Sequence, residues 1–348
     1  MDEDAAYTAW KSERRAATSP FDIEHWYGKL ESLTFPTSFL SLEPAESQAF
    51  IAIYTARFLG RRAPTEEAHE HVRNVRARIG AVMDTLRAGN SSGFFVRLST
   101  RSPKDAAMPT REQYEREASR RADLDEPTDI DEAINSQMRA FFEVGLQSLR
   151  VPDAAAAMEL LLTSERVQRD LQDASWAGAL GEMKIAVRTW DQDLRQEYEF
   201  RGFVYAGQLT QISQYNPYCY YPEQVSERKH LLATLEAYWR TQVAELLAPH
   251  FDAYVIDMAI LADGSCRVIE LNPFEKQTGG GLFVWEDPSD LERLKHGPLT
   301  LRLATQPRPR MQTTLEVFIS GLPSEAERAT ARADESSYSP HVRCMSQP

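Results

Sequence analysis

Asp257, Glu270 and Asn272 are the residues whose types and spacing point most directly to chemistry. They lie in two strand-like runs, Tyr254 to Leu261 and Val268 to Asn272, separated by Ala262-Asp263-Gly264-Ser265. Pro273 cannot donate to a ladder and ends the second run. Asp-Gly between apolar runs is a strong hairpin signal, because both turn residues need positive φ. A two-residue Asp263-Gly264 loop sets Ala262 opposite Ser265, and therefore Asp257 opposite Glu270. Asn272 shares that face, two residues on. Ile256, Met258, Ile260, Ile269 and Leu271 fall on the other face and read as core. Directly opposed carboxylates repel, so removing either charge would cost the fold little. A divalent cation would relieve the repulsion, and hard oxygen donors suit Mg²⁺ held partly through substrate phosphates. Nearby lysine or arginine would relieve it equally, and the spacing leaves both readings open.

A second candidate lies upstream. Phe94-Phe95-Val96-Arg97-Leu98 reads as a short strand, followed by the polar loop Ser99-Thr100-Arg101-Ser102-Pro103-Lys104-Asp105-Ala106. Arg97, Arg101 and Lys104 make this segment basic. It could hold phosphates through side chains and backbone N–H groups, or be a solvated turn.

The elements that must position these residues follow from pattern. Pro44 to Leu59 and the stretch from Thr65 read as helices, the second ended by Gly89-Asn90. Residues 107–130 are charged and poor in large aliphatics, and read as an exposed, mobile insertion. Helices follow around Ile134–Leu149 and Ala154–Leu171, then a strand at Lys184–Trp190. Glu199–Tyr205 and Gln208–Tyr215 form a hairpin around Ala206-Gly207, with Glu199, Arg201 and Phe203 on one face. A long amphipathic helix spans Glu223–Leu247. Leu315–Ile319 reads as a strand. Residues 1–20 read as loosely docked, and 321–348 as a disordered tail. The expected division is an N-terminal lobe over 1–180, carrying the basic loop, and a C-terminal lobe over 181–320.

Composition bounds the function. The chain has 348 residues, 42% of them hydrophobic, enough for a large core. Its net charge of −13 argues against nonspecific nucleic-acid binding. No apolar run reaches membrane-spanning length, and the acidic N-terminus does not resemble a signal peptide. The three cysteines, Cys219, Cys266 and Cys344, suit a reducing compartment, so the expected location is cytoplasmic.

The order of pieces carries a resemblance. The basic strand-loop Arg97–Asp105 precedes Leu160-Leu161-Leu162-Thr163-Ser164-Glu165-Arg166. Then come Val187-Arg188-Thr189-Trp190, Glu199-Phe200-Arg201, Ile212-Ser213-Gln214-Tyr215, Asp257, and Glu270-Leu271-Asn272-Pro273-Phe274 with Leu282-Phe283-Val284-Trp285. Over Trp26 to Trp285 the chain resembles the cell-division-cycle family of ATP-grasp proteins, assembly chaperones of eukaryotic translation initiation factor two. The resemblance implies an α+β, two-lobed ATP-grasp fold with antiparallel sheets enclosing ATP and Mg²⁺. It implies phosphate contacts from Arg97 and Arg201, a nucleotide loop containing Ser102, Lys104 and Asp105, and an adenine-side segment containing Val187, Arg188 and Trp190. Asp257, Glu270 and Asn272 would be the magnesium ligands. Arg97 stands where the family has lysine, and Glu270 where it has aspartate. The function implied is a nucleotide-dependent chaperone for a translation initiation factor subunit. The alternative is an ATP-grasp ligase joining a carboxylate to an amine, such as a peptide acceptor, with a nucleic-acid ligase a lower reading.

Overall fold

The computed structural model describes residues 3–87 and 92–328. The helix end expected at Gly89-Asn90, and the part of the expected 321–348 tail from 329 onward, lie outside the described residues; the described part of that tail is not disordered, since Leu322 is 4% exposed and Pro323 O accepts from the Arg111 N–H at 2.9 Å. Nine strands there form two sheets. β1 (Thr37–Ser41), β2 (Phe94–Leu98), β3 (Arg150–Val151) and β4 (Lys184–Thr189) make an antiparallel sheet in the order β1-β4-β2-β3. β5 (Glu199–Tyr205), β6 (Gln208–Gln214), β7 (Tyr254–Ile260), β8 (Cys266–Pro273) and β9 (Thr300–Arg302) make the other, in the order β8-β7-β5-β6-β9. All its pairs are antiparallel except β6 with β9.

Apolar faces fix which helices cover which sheet. Phe94, Val96, Ile185 and Val187 point away from the second sheet and pack with Phe50, Ile79, Met83, Leu161 and Leu171, which come from the helices Pro44–Leu59, Glu66–Arg87, Ala154–Thr163 and Glu165–Trp176. The second sheet buries Phe200, Ile212, Ile256, Met258, Val268 and Leu271 under the helices Ile23–Leu30 and Pro222–Tyr238. The latter helix runs on through a π turn, Trp239–Val243, where the Trp239 indole donates to the Tyr254 hydroxyl at 3.0 Å. Two segments therefore cross the boundary expected at residue 180. Lys184–Thr189 is an interior strand of the first sheet, between β1 and β2, and Ile23, Trp26 and Leu30 belong to the core of the second.

The β7–β8 hairpin differs from expectation in two compensating ways. Leu261 N–H donates to Ser265 O at 2.8 Å and Ile260 pairs with Cys266, so the loop has three residues, closed by Gly264 at φ 82°. That extra residue would shift Asp257 away from Glu270. A bulge at Ile269 restores the pairing: Met258 faces Val268, while Asp257 faces Glu270. Ile269, expected in the core, is thereby displaced to a half-buried position, and Val268 takes its place at 0% exposure. The β5–β6 hairpin turns as expected, through Ala206 and Gly207 at φ 49° and 68°.

Three further expectations are corrected. Residues 111–125 form a helix opened by a Thr110–Gln113 capping box, with Tyr114 buried against Phe141. The 107–130 insertion is therefore anchored. The run Leu315–Ile319 lies in a helix, Gln312–Ser320. Leu315, Phe318 and Ile319 are spaced for one helical face and pack on the Phe141 cluster. Residues 3–18 form a helix held by Lys11–Asp173 at 2.5 Å and by an ion pair from Arg14 to Glu275. Among the described residues no helix is long and apolar enough to cross a membrane.

Candidate functional site between the two sheets

The polar faces of β2, β4, β5, β7 and β8 meet in one cleft. From β2, Arg97, only 3% exposed, reaches across to Glu270 on β8 with Nη2–Oε1 at 2.6 Å. From β4, Arg188 donates to the Ile269 carbonyl at 2.9 Å and to Thr34 Oγ1 at 2.6 Å. The Ile269 bulge turns that carbonyl out of the ladder, where Arg188 can take it. On β5, Arg201 lies directly opposite Asp257 of β7 and grips it with two bonds, Nε–Oδ1 at 2.8 Å and Nη2–Oδ2 at 2.9 Å. Its remaining nitrogen donates to Gly279 O at 2.5 Å. Asn272 Nδ2 lies 3.4 Å from Asp257 Oδ2. From the loop after β2, Lys104 donates to the Tyr215 hydroxyl at 2.7 Å, and the Tyr215 ring also lies under the Arg201 guanidinium at 4.8 Å.

The expected carboxylate pair is thus present, but its repulsion is already answered. Asp257 is held by Arg201 and Glu270 by Arg97, so the expectation that removing either charge costs little is corrected: each removal would strand a buried arginine.

Electrostatics sort the carboxyls. Burial opposes ionisation of Glu270, but Arg97 and Lys104 overcome it and hold its pKa at about 2. Glu199, on the same β5 face as Arg201, is buried, with no hydrogen bond to its side chain among the described residues. Burial drives its pKa to about 7, with Lys104 offsetting and Asp257 adding to the rise. Burial beside Arg97 lowers Arg188 to about 9. Burial works against the charge of Arg201, yet Asp257 raises its pKa overall.

Not every expected residue joins this cluster. The Val187 side chain is at 0% exposure in the core of the first sheet, facing the helices. Trp190 packs with Ala107 and Leu149. Asp105 caps the helix Glu165–Trp176, accepting from Ser164 Oγ at 2.6 Å and Arg166 N–H at 3.1 Å. The Ser102 hydroxyl is buried with no hydrogen-bond partner among the described residues. Conversely, Glu199, Tyr215 and Thr34 belong to the cluster although sequence reading assigned them no role. Glu199 was legible as a neighbour of Arg201 by alternation; the burial that makes it unusual was not.

A family model described as D123 matches residues 140–330, more than half of the chain. The chain belongs to the D123 family. The stretch matched in this D123 protein contains β4 to β9, and with them Arg188, Glu199, Arg201, Asp257, Glu270 and Asn272. The structure of Cdc123 from Schizosaccharomyces pombe is similar at 18% identity and a TM-score of 0.52, covering 81% of this chain and 95% of that one. A C-terminally truncated Cdc123 from the same organism is similar at 20% identity and a TM-score of 0.54, covering 82% of this chain and 96% of that one. These likenesses show a shared mixed α and β fold with antiparallel sheets. No curated protein matches the D123 chain.

Proposed function

We propose that this protein is an ATP-grasp protein that binds ATP with Mg²⁺ in the cleft between its sheets. In this reading it acts as a nucleotide-dependent assembly chaperone for a translation initiation factor subunit. The observation that carries the nucleotide reading is the alternation of buried cations and hard oxygen donors in one cleft. Arg97, Lys104, Arg188 and Arg201 stand among Glu199, Asp257, Glu270 and Asn272. A simple anion site would have no use for three carboxylates, and a simple metal site would not hold each of its acids against an arginine. A magnesium–nucleotide complex carries both signs and suits both halves.

The donor set fits the group. Asp257, Glu270 and Asn272 offer oxygens on one sheet face and would hold the cation. Arg97, Lys104 and Arg201 would turn from their present partners to the phosphates. The ion pairs of the free protein would thus be exchanged, and no charge would be left buried alone. When bound, the metal would neutralise phosphate charge. Arg188 would remain at the β4 edge, tied to Thr34 and Ile269 O. The chaperone role rests on family membership, which is why its test is separate.

Isothermal titration of the full chain with ATP, with and without Mg²⁺, tests the first part. Magnesium-dependent binding is expected, weakened at least tenfold, or about 1.4 kcal/mol, by Glu270→Gln. Absence of magnesium-dependent binding would refute it. Binding to purified subunits of translation initiation factor two, with and without ATP, tests the second. ATP turnover that requires a carboxylate or amine acceptor would favour the ligase alternative.

A further inference from the structure

A second cluster of donors lies at the start of the helix Ile23–Leu30. Asp22, Glu24 and His25 each offer one donor atom there, a carboxylate oxygen or a ring nitrogen, and these atoms lie within 4.8 Å of one another. Asp22 and His25 are three residues apart, the spacing that puts two side chains on one helix face. Asp22 stands where a helix cap would, yet its side chain makes no capping bond. Ile23 N–H donates instead to Ser99 O at 3.3 Å. The Asp22 carboxylate is therefore not spent on the helix end.

The deciding atom is Glu24 Oε2. The Glu24 side chain is 7% exposed, and this oxygen is buried with no hydrogen-bond partner among the described residues. The other oxygen, Oε1, has Lys184 Nζ at 3.9 Å, beyond hydrogen-bond range. A buried carboxylate oxygen without a donor is costly, and a cation bound to it removes that cost. Asp22, 4% exposed, is met by Arg15 at its Oδ2. Arg15 has a second acid to turn to, since its Nε lies 3.5 Å from Glu182 Oε2. His25 is exposed, so its ring can turn onto the two acids from the solvent side.

Two carboxylates and an imidazole are a mixed set of oxygen and nitrogen donors. Mg²⁺ and Ca²⁺ take oxygen ligands. An imidazole beside carboxylates suits Zn²⁺ and its divalent neighbours. Ligands about 2.0–2.2 Å from zinc stand about 3.5 Å from one another, so modest side-chain turns close the set. We propose that Asp22, Glu24 and His25 bind one divalent transition-metal ion, with zinc the best match. The ion would sit where a helix of the second sheet's core meets the first sheet, beside Ser99, which follows β2, and Lys184, which opens β4. Bound there, it would fix the turn from which the helix leaves. The three ligands lie outside the residues that the family model matches, and the proposal is independent of nucleotide binding in the cleft.

The test titrates Zn²⁺ into the chelator-treated full chain, without nucleotide and in excess Mg²⁺, followed by calorimetry and thermal melting. One equivalent should bind, and the melting temperature should rise with Zn²⁺ concentration. His25→Ala, at an exposed position that the fold tolerates, should weaken binding by about tenfold or more and abolish most of the rise in melting temperature; Glu24→Gln should do the same. Co²⁺ in place of Zn²⁺ should give visible metal bands without a thiolate charge-transfer band, since no cysteine belongs to the set. Absence of stoichiometric Zn²⁺ binding would overturn the proposal. So would displacement of Zn²⁺ by Mg²⁺, a thiolate band with Co²⁺, or a folded His25→Ala variant that binds as tightly as the parent.

Discussion

Asp257→Asn is the perturbation that most directly probes how the cleft is held together without ligand. Asp257 is 1% exposed and Arg201 7%, and two parallel bonds join them. Removing one partner of a buried pair costs about 3–5 kcal/mol, because the other charge stays behind. The amide can still accept one guanidinium bond, and Gly279 O keeps another, so the lower end applies, about 3 kcal/mol. In a chain this long, about 2 °C per kcal/mol gives a drop in Tm of about 6 °C. Urea unfolding of the ligand-free protein measures the free energy, with the slope checked for constancy. The decisive companion is Arg201→Met with Asp257→Leu. Replacing both charges by apolar groups is often neutral or better, so the double variant should recover most of the loss, short of the bond to Gly279 O. A single variant within about 1 kcal/mol of the parent would refute the account. So would a double variant as unstable as the single one, which would show that shape, not stranded charge, decides.

Other outcomes follow from the same structure. Glu199 has a folded pKa of about 7, above the ordinary carboxyl value, so its contribution to stability is full below about pH 4.5 and is lost as pH rises through 7. Glu199→Gln should flatten the fall in stability between pH 5 and 8, as followed by urea midpoints; an unchanged pH profile would contradict this. Gly281 has φ +60°, and an added Cβ would meet Ser213 Oγ at 2.6 Å and Gln214 O at 3.0 Å. Gly281→Ala should therefore cost about 2 kcal/mol or more, read by thermal melting, since a backbone carbonyl cannot yield as a side chain can. Tyr114, 5% exposed, anchors the helix Arg111–Asp125 to the next one. Tyr114→Ala should speed hydrogen exchange across 111–125 well before global unfolding, and uniform protection there would show that the helix is held by other contacts.

The sequence carried much of the second sheet, because its signals are local. Alternation marked the polar and apolar faces of β5, β7 and β8, and Ala206-Gly207 marked a turn. It placed Asp257, Glu270 and Asn272 on one side of their hairpin, and Glu199 and Arg201 on one side of theirs, but not the two sides together. The Asp257–Glu270 pairing came out right although the loop holds one more residue and Ile269 bulges. Face alternation survives such compensated shifts, whereas the core position of Ile269 did not. Helix against strand was misread at Leu315–Ile319, where five apolar-rich residues suit either period and only the Phe141 cluster selects the helix.

What the residues themselves determined was the inventory: the hard oxygens, the basic loop and the faces on which they lie. Which charge meets which was decided by the tertiary structure alone. Arg97 and Glu270 are far apart in the chain and come together only because the two sheets face each other. The same packing makes Glu199 a buried acid and turns Asp105 into a helix cap. The physical reason is that side-chain period is a local property of the backbone, whereas burial and ion pairing depend on surfaces brought together by distant parts of the chain.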